Sequence, residues 1–286
     1  MPFDTTIEGR DPYGIGSLQH PTVILRMNSW IFLCVSAFLA GAVNSIAGGG
    51  TLLTFPALLW VLGTAPASSV IANATSTVAI FPGSVASAWG YRQELKLVRH
   101  WLFRLTIPSF AGAILGTALV ARRDPEEFRV LVPWLILGAT LLFVAQPLLA
   151  RFKGVRTEPN ESLTRSGYVS VVLFQFFIAL YGGYFGAGIG ILMLTALSLL
   201  GIQDIHHLNA LKTYLASAIN LISVAMFIAF GLVDWSLAGP MIFSSIAGGY
   251  LGARVARRLN RKWVRYIVIA IGLTVSAYYL IQQFQS

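Results

Sequence analysis

Charge is what this sequence has least of. Lys, Arg, Asp and Glu make up 11% of its 286 residues, where a water-soluble domain carries about 25%. Between Met27 and Tyr91 there is no charged side chain at all. Such a stretch cannot form the surface of a soluble protein. With 56% hydrophobic residues and a mean hydropathy of +0.72, the chain reads as an integral membrane protein. The single cysteine, Cys34, lies in an apolar segment, which excludes an intramolecular disulfide and a thiolate metal site. The four histidines (His20, His100, His206, His207) show no metal spacing. On a helix, His206 and His207 would point about 100° apart, so the pair reads as a loop or helix start.

Other absences narrow the chemistry. No acidic residue falls inside an apolar segment, so paired carboxylates for hydrolysis and a carboxylate proton relay are both missing there. No Gly-x4-Gly-Lys-Ser/Thr phosphate loop occurs, and no large soluble region is present. The chain is therefore expected not to be an enzyme, to hold no metal or cofactor, and not to drive transport by itself with ATP. The net charge of +9 comes from basic residues in short loops between apolar segments. That is the pattern of loops retained in the cytoplasm, and no nucleic-acid partner is expected.

What is present is a series of membrane-length segments. A bilayer core of about 30 Å needs about 20 apolar residues per helix. Val70–Tyr91, Leu105–Ala121, Val130–Ala150, Thr213–Val233, Trp235–Ala253 and Tyr266–Gln282 each fit one span. Two windows, Met27–Thr64 and Ser166–Gln203, are too long for one span, and each has a glycine cluster near its middle, "GGG" and "GGYFGAGIG". With Gly63 placed on Gly201, "AGGGTLLTFPALLWVLG" lies over "FGAGIGILMLTALSLLG". Further on, Gly112 and Gly116 lie over Gly248 and Gly252, and Arg129 over Arg265. The chain is an internal duplication: a polar tail 1–26, expected to be mobile, a first repeat 27–150, a basic linker 151–165 and a second repeat 166–286.

Loop charge sets the relation of the copies. Loop 92–104 carries Arg92, Lys96, Arg99 and Arg104 against Glu94, while its counterpart, 231–235, holds only Asp234. Loop 254–265 is wholly basic, while its counterpart 122–129 mixes signs. The basic member alternates between halves, so equivalent loops are expected to face opposite sides of the membrane, with 92–104, 151–165 and 254–265 cytoplasmic. The expected fold is all-α: a polytopic membrane protein of two inverted repeats, each with a glycine-broken, re-entrant helix segment plus about three full spans. The second arms, Thr51–Leu62 and Ile191–Leu200, are too short to cross. The glycine pairs Gly112/Gly116 and Gly248/Gly252 read as helix-packing positions. Trp60, Trp89, Trp101, Trp134, Trp235 and Trp263 read mostly as interfacial anchors.

Bare backbone is tolerated at membrane depth only where it is buried in protein or lines a polar cavity. A short helix starting just after a break points its N-terminal amides, with their partial positive charge, into the gap, which suits an anion. Interrupted segments at matching positions of two repeats are the best pointer in a sequence to a transporter's substrate site. The candidate binding residues are Asn44, Gly48, Gly49, Gly50 and Thr51 at the first break, and Gly186, Gly188 and Gly190 at the second. Asn73, Thr75 and Ser76, with Asn209, Lys212, Thr213 and Tyr214 at the comparable place, open the helices that follow. The competing readings are close helix packing for the glycines, capping or interhelical hydrogen bonds for the polar groups, and snorkelling for Lys212.

The segments "GAVNSIAGGGTLLTFPALL" and "ANATSTVAIFPGSVASAWGY", followed by "GYFGAGIGILMLTALSLLGI", "NALKT", "GLVDW" and "IAGGYLGARVARRL", resemble the sulfite exporter TauE/SafE family of TSUP transporters over about residues 29–282. The resemblance implies a multi-pass protein of the bacterial cytoplasmic (inner) membrane that acts as a secondary transporter or permease. Its partners would be the lipid bilayer and a small sulfur-containing anion such as sulfite, a sulfonate, sulfoacetate or a thiosulfate-like compound. An anion channel on the same architecture and a non-transporting membrane scaffold are the alternatives. The oligomeric state is left open, a homodimer included. One departure is that Pro56 is matched by Leu194, so the two breaks need not be equivalent.

Overall fold

The computed structural model describes residues 23–46, 49–63, 65–149, 165–198, 200, 202, 204–255 and 261–285. Gly48, the tail 1–22, linker residues 151–164, Arg257 and Arg258 lie outside them, as do the side chains of Arg254, Arg261, Lys262, Trp263 and Arg265. The described residues are helical throughout, without strands. In chain order the helices are α1 (Val23–Ile46), α2 (Thr51–Leu62), α3 (Pro66–Gly90), α4 (Arg92–Leu97), α5 (Arg99–Arg122), α6 (Pro125–Leu149), α7 (Arg165–Tyr184), α8 (Ile189–Ser198), α9 (Ile205–Ala229), α10 (Trp235–Val255) and α11 (Arg261–Gln285).

Both glycine-bearing windows break where expected. α2 and α8 begin 138 residues apart, while α5 and α10, and α6 and α11, begin 136 apart. These helices thus recur at a nearly constant spacing along the chain. α3 at 25 residues is about 37 Å long, enough to cross a bilayer with some tilt, and six described helices are long and apolar enough to span. α2, at 12 residues, and α8, at 10, reach roughly half as far. The outer surface fits lipid: Ile107, Phe177 and Phe243, in the middles of α5, α7 and α10, are 75%, 61% and 76% exposed.

The packing is reciprocal. α1 lies along α10, and its counterpart α7 lies along α5; α3 also touches α10 as α9 touches α5. α3 packs on α9 and α6 on α11, each helix against its own equivalent. Small residues permit the closest approaches. A methyl group at Gly112 would collide with the Phe176 carbonyl, one at Gly116 with that of Leu180, and one at Gly248 with that of Phe38. The equal steps of four show that α5 and α7 run in the same direction. α3 and α9 run oppositely: Ser217, in the first half of α9, bonds the Ser84 carbonyl near the end of α3, while Asp234, beyond the end of α9, donates its N–H to Thr75 near the start of α3.

α3 is the central helix. Residues Val70 to Ser76 are each at most 1% exposed, because α1, α2, α6, α9 and α10 surround them. Such burial on every side explains why this stretch of α3 mixes small apolar residues with an amide and hydroxyls, and Asn73, Thr75 and Ser76 each reach a partner on another element.

Three details depart from the sequence reading. α1 begins at Val23, four residues inside the segment expected as tail. Loop 92–104 is helical, as α4 and the first turns of α5, because "RQELKL" consists of good helix formers. Trp101 is not an interfacial anchor but is 8% exposed, with the Arg104 guanidinium 5.8 Å from its ring. The second arms are short, as the sequence suggested: α2 has 12 residues and α8 has 10, against 24 for α1 and 20 for α7.

Candidate functional site

α1 and α2 form an antiparallel hairpin. Ser36 donates to the Leu53 carbonyl at 2.9 Å, and the Phe32 and Trp60 rings meet edge to face at 5.4 Å. Gly49 makes the turn with a φ of 93°, open to glycine at little cost. Gly50 lets α2 start directly against α1, since a Cβ there would lie 2.5 Å from the Ala40 carbonyl oxygen. At the second break, Gly186 (φ 79°) and Gly188 (φ 74°) play the turning role, while Gly190 is already in α8. Tyr181 donates its phenol to the Ala187 carbonyl at 2.7 Å, bracing the turn.

The two breaks are neighbours. The Phe143 ring tip sits where a Gly49 side chain would be, and Ala139 lies 3.6 Å from the corresponding position at Gly188. Ala139 and Phe143 are one turn of α6 apart, about 6 Å of rise. Across the gap, Phe55 of α2 and Phe185 of the second break stack edge to face at 5.1 Å. Gly49, Gly50, Thr51, Gly188 and Gly190 are all buried. Around them the amides of Leu52 and Leu53 close short turns to Gly49 and Gly50, and Ile191 to Gly188. The backbone N–H groups of Gly50, Thr51, Gly188 and Gly190 have no hydrogen-bond partner among the described residues. Two short helices thus present buried donors, each reinforced by a helix dipole, to one small region.

The other candidates fall into two sets. On the side of the first break, Asn44 donates to the Ser84 hydroxyl at 2.9 Å. The Ser217 hydroxyl lies 3.1 Å from the Ser84 carbonyl and 2.8 Å from that of Thr213, and Thr213 donates to the Asn209 carbonyl at 2.7 Å. This ladder joins Asn44, Thr213 and Asn209. Lys212, half-buried, stands beside it on α9, and both Asn209 and Lys212 engage neighbouring groups. Tyr214 turns away into an apolar cluster with α5, α7 and α8.

On the side of the second break, Asn73 donates to the Tyr184 carbonyl at 3.0 Å, capping α7 from the opposite half of the chain. Its own Oδ1 is buried without a partner. Thr75 accepts the Asp234 N–H at 3.1 Å, and the Ser76 hydroxyl lies 2.6 Å from that of Thr54. Thr75 and Ser76 are therefore occupied in holding helices together. His206 and His207 open α9, as the sequence suggested: Asp204 caps the helix by accepting the His206 N–H at 2.7 Å.

Sequence reasoning missed Ser84, Ser217, Phe143 and Phe185. The first two leave a trace, because Asn209, Thr213 and Ser217 recur every four residues along one face of α9. The phenylalanines leave none, since an aromatic in an apolar helix looks the same whether it faces lipid or a backbone gap.

The family model described as "Sulfite exporter TauE/SafE" matches residues 33–279. A probable membrane transporter protein of Haemophilus influenzae is 29% identical over 248 residues, covering 86% of this chain and 92% of that protein. Escherichia coli K12 has the probable membrane transporter protein YfcA, 28% identical over 84% of this chain and 86% of the relative. In Bacillus subtilis, the probable membrane transporter protein YunE is 24% identical over 85% of this chain and 96% of its own length. No solved structure matches significantly. With its spanning-length helices, the protein is a multi-pass protein of the bacterial inner membrane, of a kind whose relatives are named as transporters. The chain belongs to the sulfite exporter TauE/SafE family.

Proposed function

We propose that this protein is a secondary transporter that carries a small sulfur-containing anion, such as sulfite, a sulfonate, sulfoacetate or thiosulfate, across the cytoplasmic membrane. The observation that carries the reading is a pair of buried helix starts, both set against one turn of α6, whose first amides lack partners among the described residues. A buried, unpaired N–H costs roughly 1–3 kcal/mol, and an anion between the starts of α2 and α8 relieves several at once. The anion also gains from both dipoles in a medium of low dielectric. Lys212 and the ladder on α9 supply the cation and hydroxyls by which the anion leaves or reaches the gap on the side of the basic loops. We assign no enzymatic step.

The two repeats lie inverted in this reading. α3 and α9 are equivalent yet run oppositely, and α5, of the first half, runs with α7, of the second. Counting helices from α1 then brings loop 92–104, the linker and loop 254–265, all basic, to one face. Exchange of roles between two such halves gives access from either side of a fixed central site.

The test is flux in proteoliposomes of purified full-length protein with sulfite, thiosulfate, sulfoacetate and carboxylate analogues. Saturable flux of a sulfur oxyanion with counterflow is the expected result. Unitary currents would make it a channel instead, and no flux of any of these anions would leave it a non-transporting scaffold.

A further inference from the structure

A second polar site lies well away from the breaks, where α2 and α11 end and α3 and α6 begin. A cavity of about 140 Å3 opens there among Leu59, Ser69, Arg129, Tyr279, Gln282 and Gln283. That is four to five times the roughly 30 Å3 a water takes up in the liquid. We propose that this pocket binds a small oxyanion group, a sulfate, sulfonate or phosphate ester. The proposal stands on the pocket's own lining and does not rest on the transport reading.

The lining has the charge and donors that such a group requires. It includes one guanidinium, one phenol, one hydroxyl and two side-chain amides, and no carboxylate. Arg129 is held in place from its own helix: its Nε lies 3.1 Å from Glu126 Oε1, and Nη2 bonds the same oxygen. This exposed ion pair takes up one edge of a side chain whose geometry suits an oxyanion. Ser69 is 4% exposed, yet its hydroxyl makes no hydrogen bond among the described residues and lines the cavity. That hydroxyl can donate to a group held in the cavity. Gly63, with nothing within 4 Å of where a Cβ would be, keeps the mouth open. Arg129 and Gln282 come from different halves of the chain, on α6 and α11, and at a spacing of 136 residues their counterparts in sequence are Arg265 and Gln146.

The group has two sources, a free oxyanion or the phosphate of an anionic phospholipid, and the experiment separates them. Full-length protein in phosphatidylcholine nanodiscs is titrated with radiolabelled sulfate by equilibrium dialysis. Phosphatidylglycerol is added in a second arm and its retention read by native mass spectrometry. The expected result is saturable sulfate binding that weakens about tenfold or more in Arg129→Gln and about fivefold in Ser69→Ala, with both variants monodisperse and thermally stable. Lys212→Met, aimed at the gap between the breaks, leaves this binding unchanged. Competition by phosphatidylglycerol names a lipid headgroup as the occupant, and its absence names a soluble oxyanion; both support the site. Sulfate binding and lipid retention that ignore Arg129→Gln and Ser69→Ala would overturn it. So would sulfate binding that is lost in Lys212→Met alone, which would belong to the gap between the breaks.

Discussion

At the first break, α1 runs on for six residues past the point where α2 starts against it, about 9 Å. The groups beside that extension are polar: Asn44, Ser84, Ser217 and Thr213 in one hydrogen-bonded series. At the second break Asn73 caps α7, Thr75 and Ser76 are tied to other elements, and the remaining neighbours are rings. Phe185 meets Phe55 and Phe128, and Phe128 meets Tyr184, all within 6.4 Å between centroids. The same backbone device, a glycine turn before a short helix, is thus wetted on one flank and sealed on the other. A repeat that had stayed symmetric in its side chains would offer an anion the same environment from both directions. Here the side chains differ, a hydroxyl ladder beside the first break and a cluster of rings beside the second.

The largest effect tests the polar flank. Lys212→Met should abolish anion flux in proteoliposomes while the protein still purifies as a folded membrane protein; unchanged flux would remove Lys212 from the path. The next compares the two turns directly. Gly49→Ala needs a left-handed backbone, which costs about 1–2 kcal/mol, and also drives a methyl group into the fully buried Phe143 ring. Gly188→Ala carries only the backbone cost, since its neighbour Ala139 is at ordinary contact distance. Thermal unfolding in detergent should place Gly49→Ala clearly below Gly188→Ala, and equal losses would mean that Phe143 yields easily. A third contrast concerns the caps. Asn73→Ala removes the amide of a side chain only 1% exposed and leaves the Tyr184 carbonyl without that donor, and should cost about 1–3 kcal/mol. Asn44→Ala releases only a half-buried contact to a hydroxyl that keeps its own bond to Ile80, and should cost about 0.5–1 kcal/mol. Denaturant or thermal midpoints that reverse this order would show the first break to be the more tightly held.

The helices and their breaks were legible because their signals are local. A run such as Met27–Tyr91 has no way to satisfy its backbone in lipid except as helix, and three glycines cannot sit unremarked in it. Helix ends were read less well where charge was taken as a stop. "RQELKL" is as good a helix as any in the chain, and Trp101 just beyond it is drawn inward by Arg104 and Tyr168. Thr75 and Ser76 show the limit for the site. A hydroxyl on an apolar helix looks alike whether it meets a ligand or a neighbouring helix, and here each meets another element of the same protein.

By itself, the order of residues determined that this is a membrane protein and that two of its long apolar segments are interrupted, because hydropathy and glycine content act over a few turns of chain. Only the tertiary structure decided that both interruptions lean on one turn of α6, that Asn73 of the first half caps a helix of the second, and which flank is polar. Those outcomes depend on contacts between residues more than 100 positions apart, 111 for Asn73 and Tyr184 and 133 for Ser84 and Ser217, and such contacts are set by how helices pack against one another and not by the pattern within any of them.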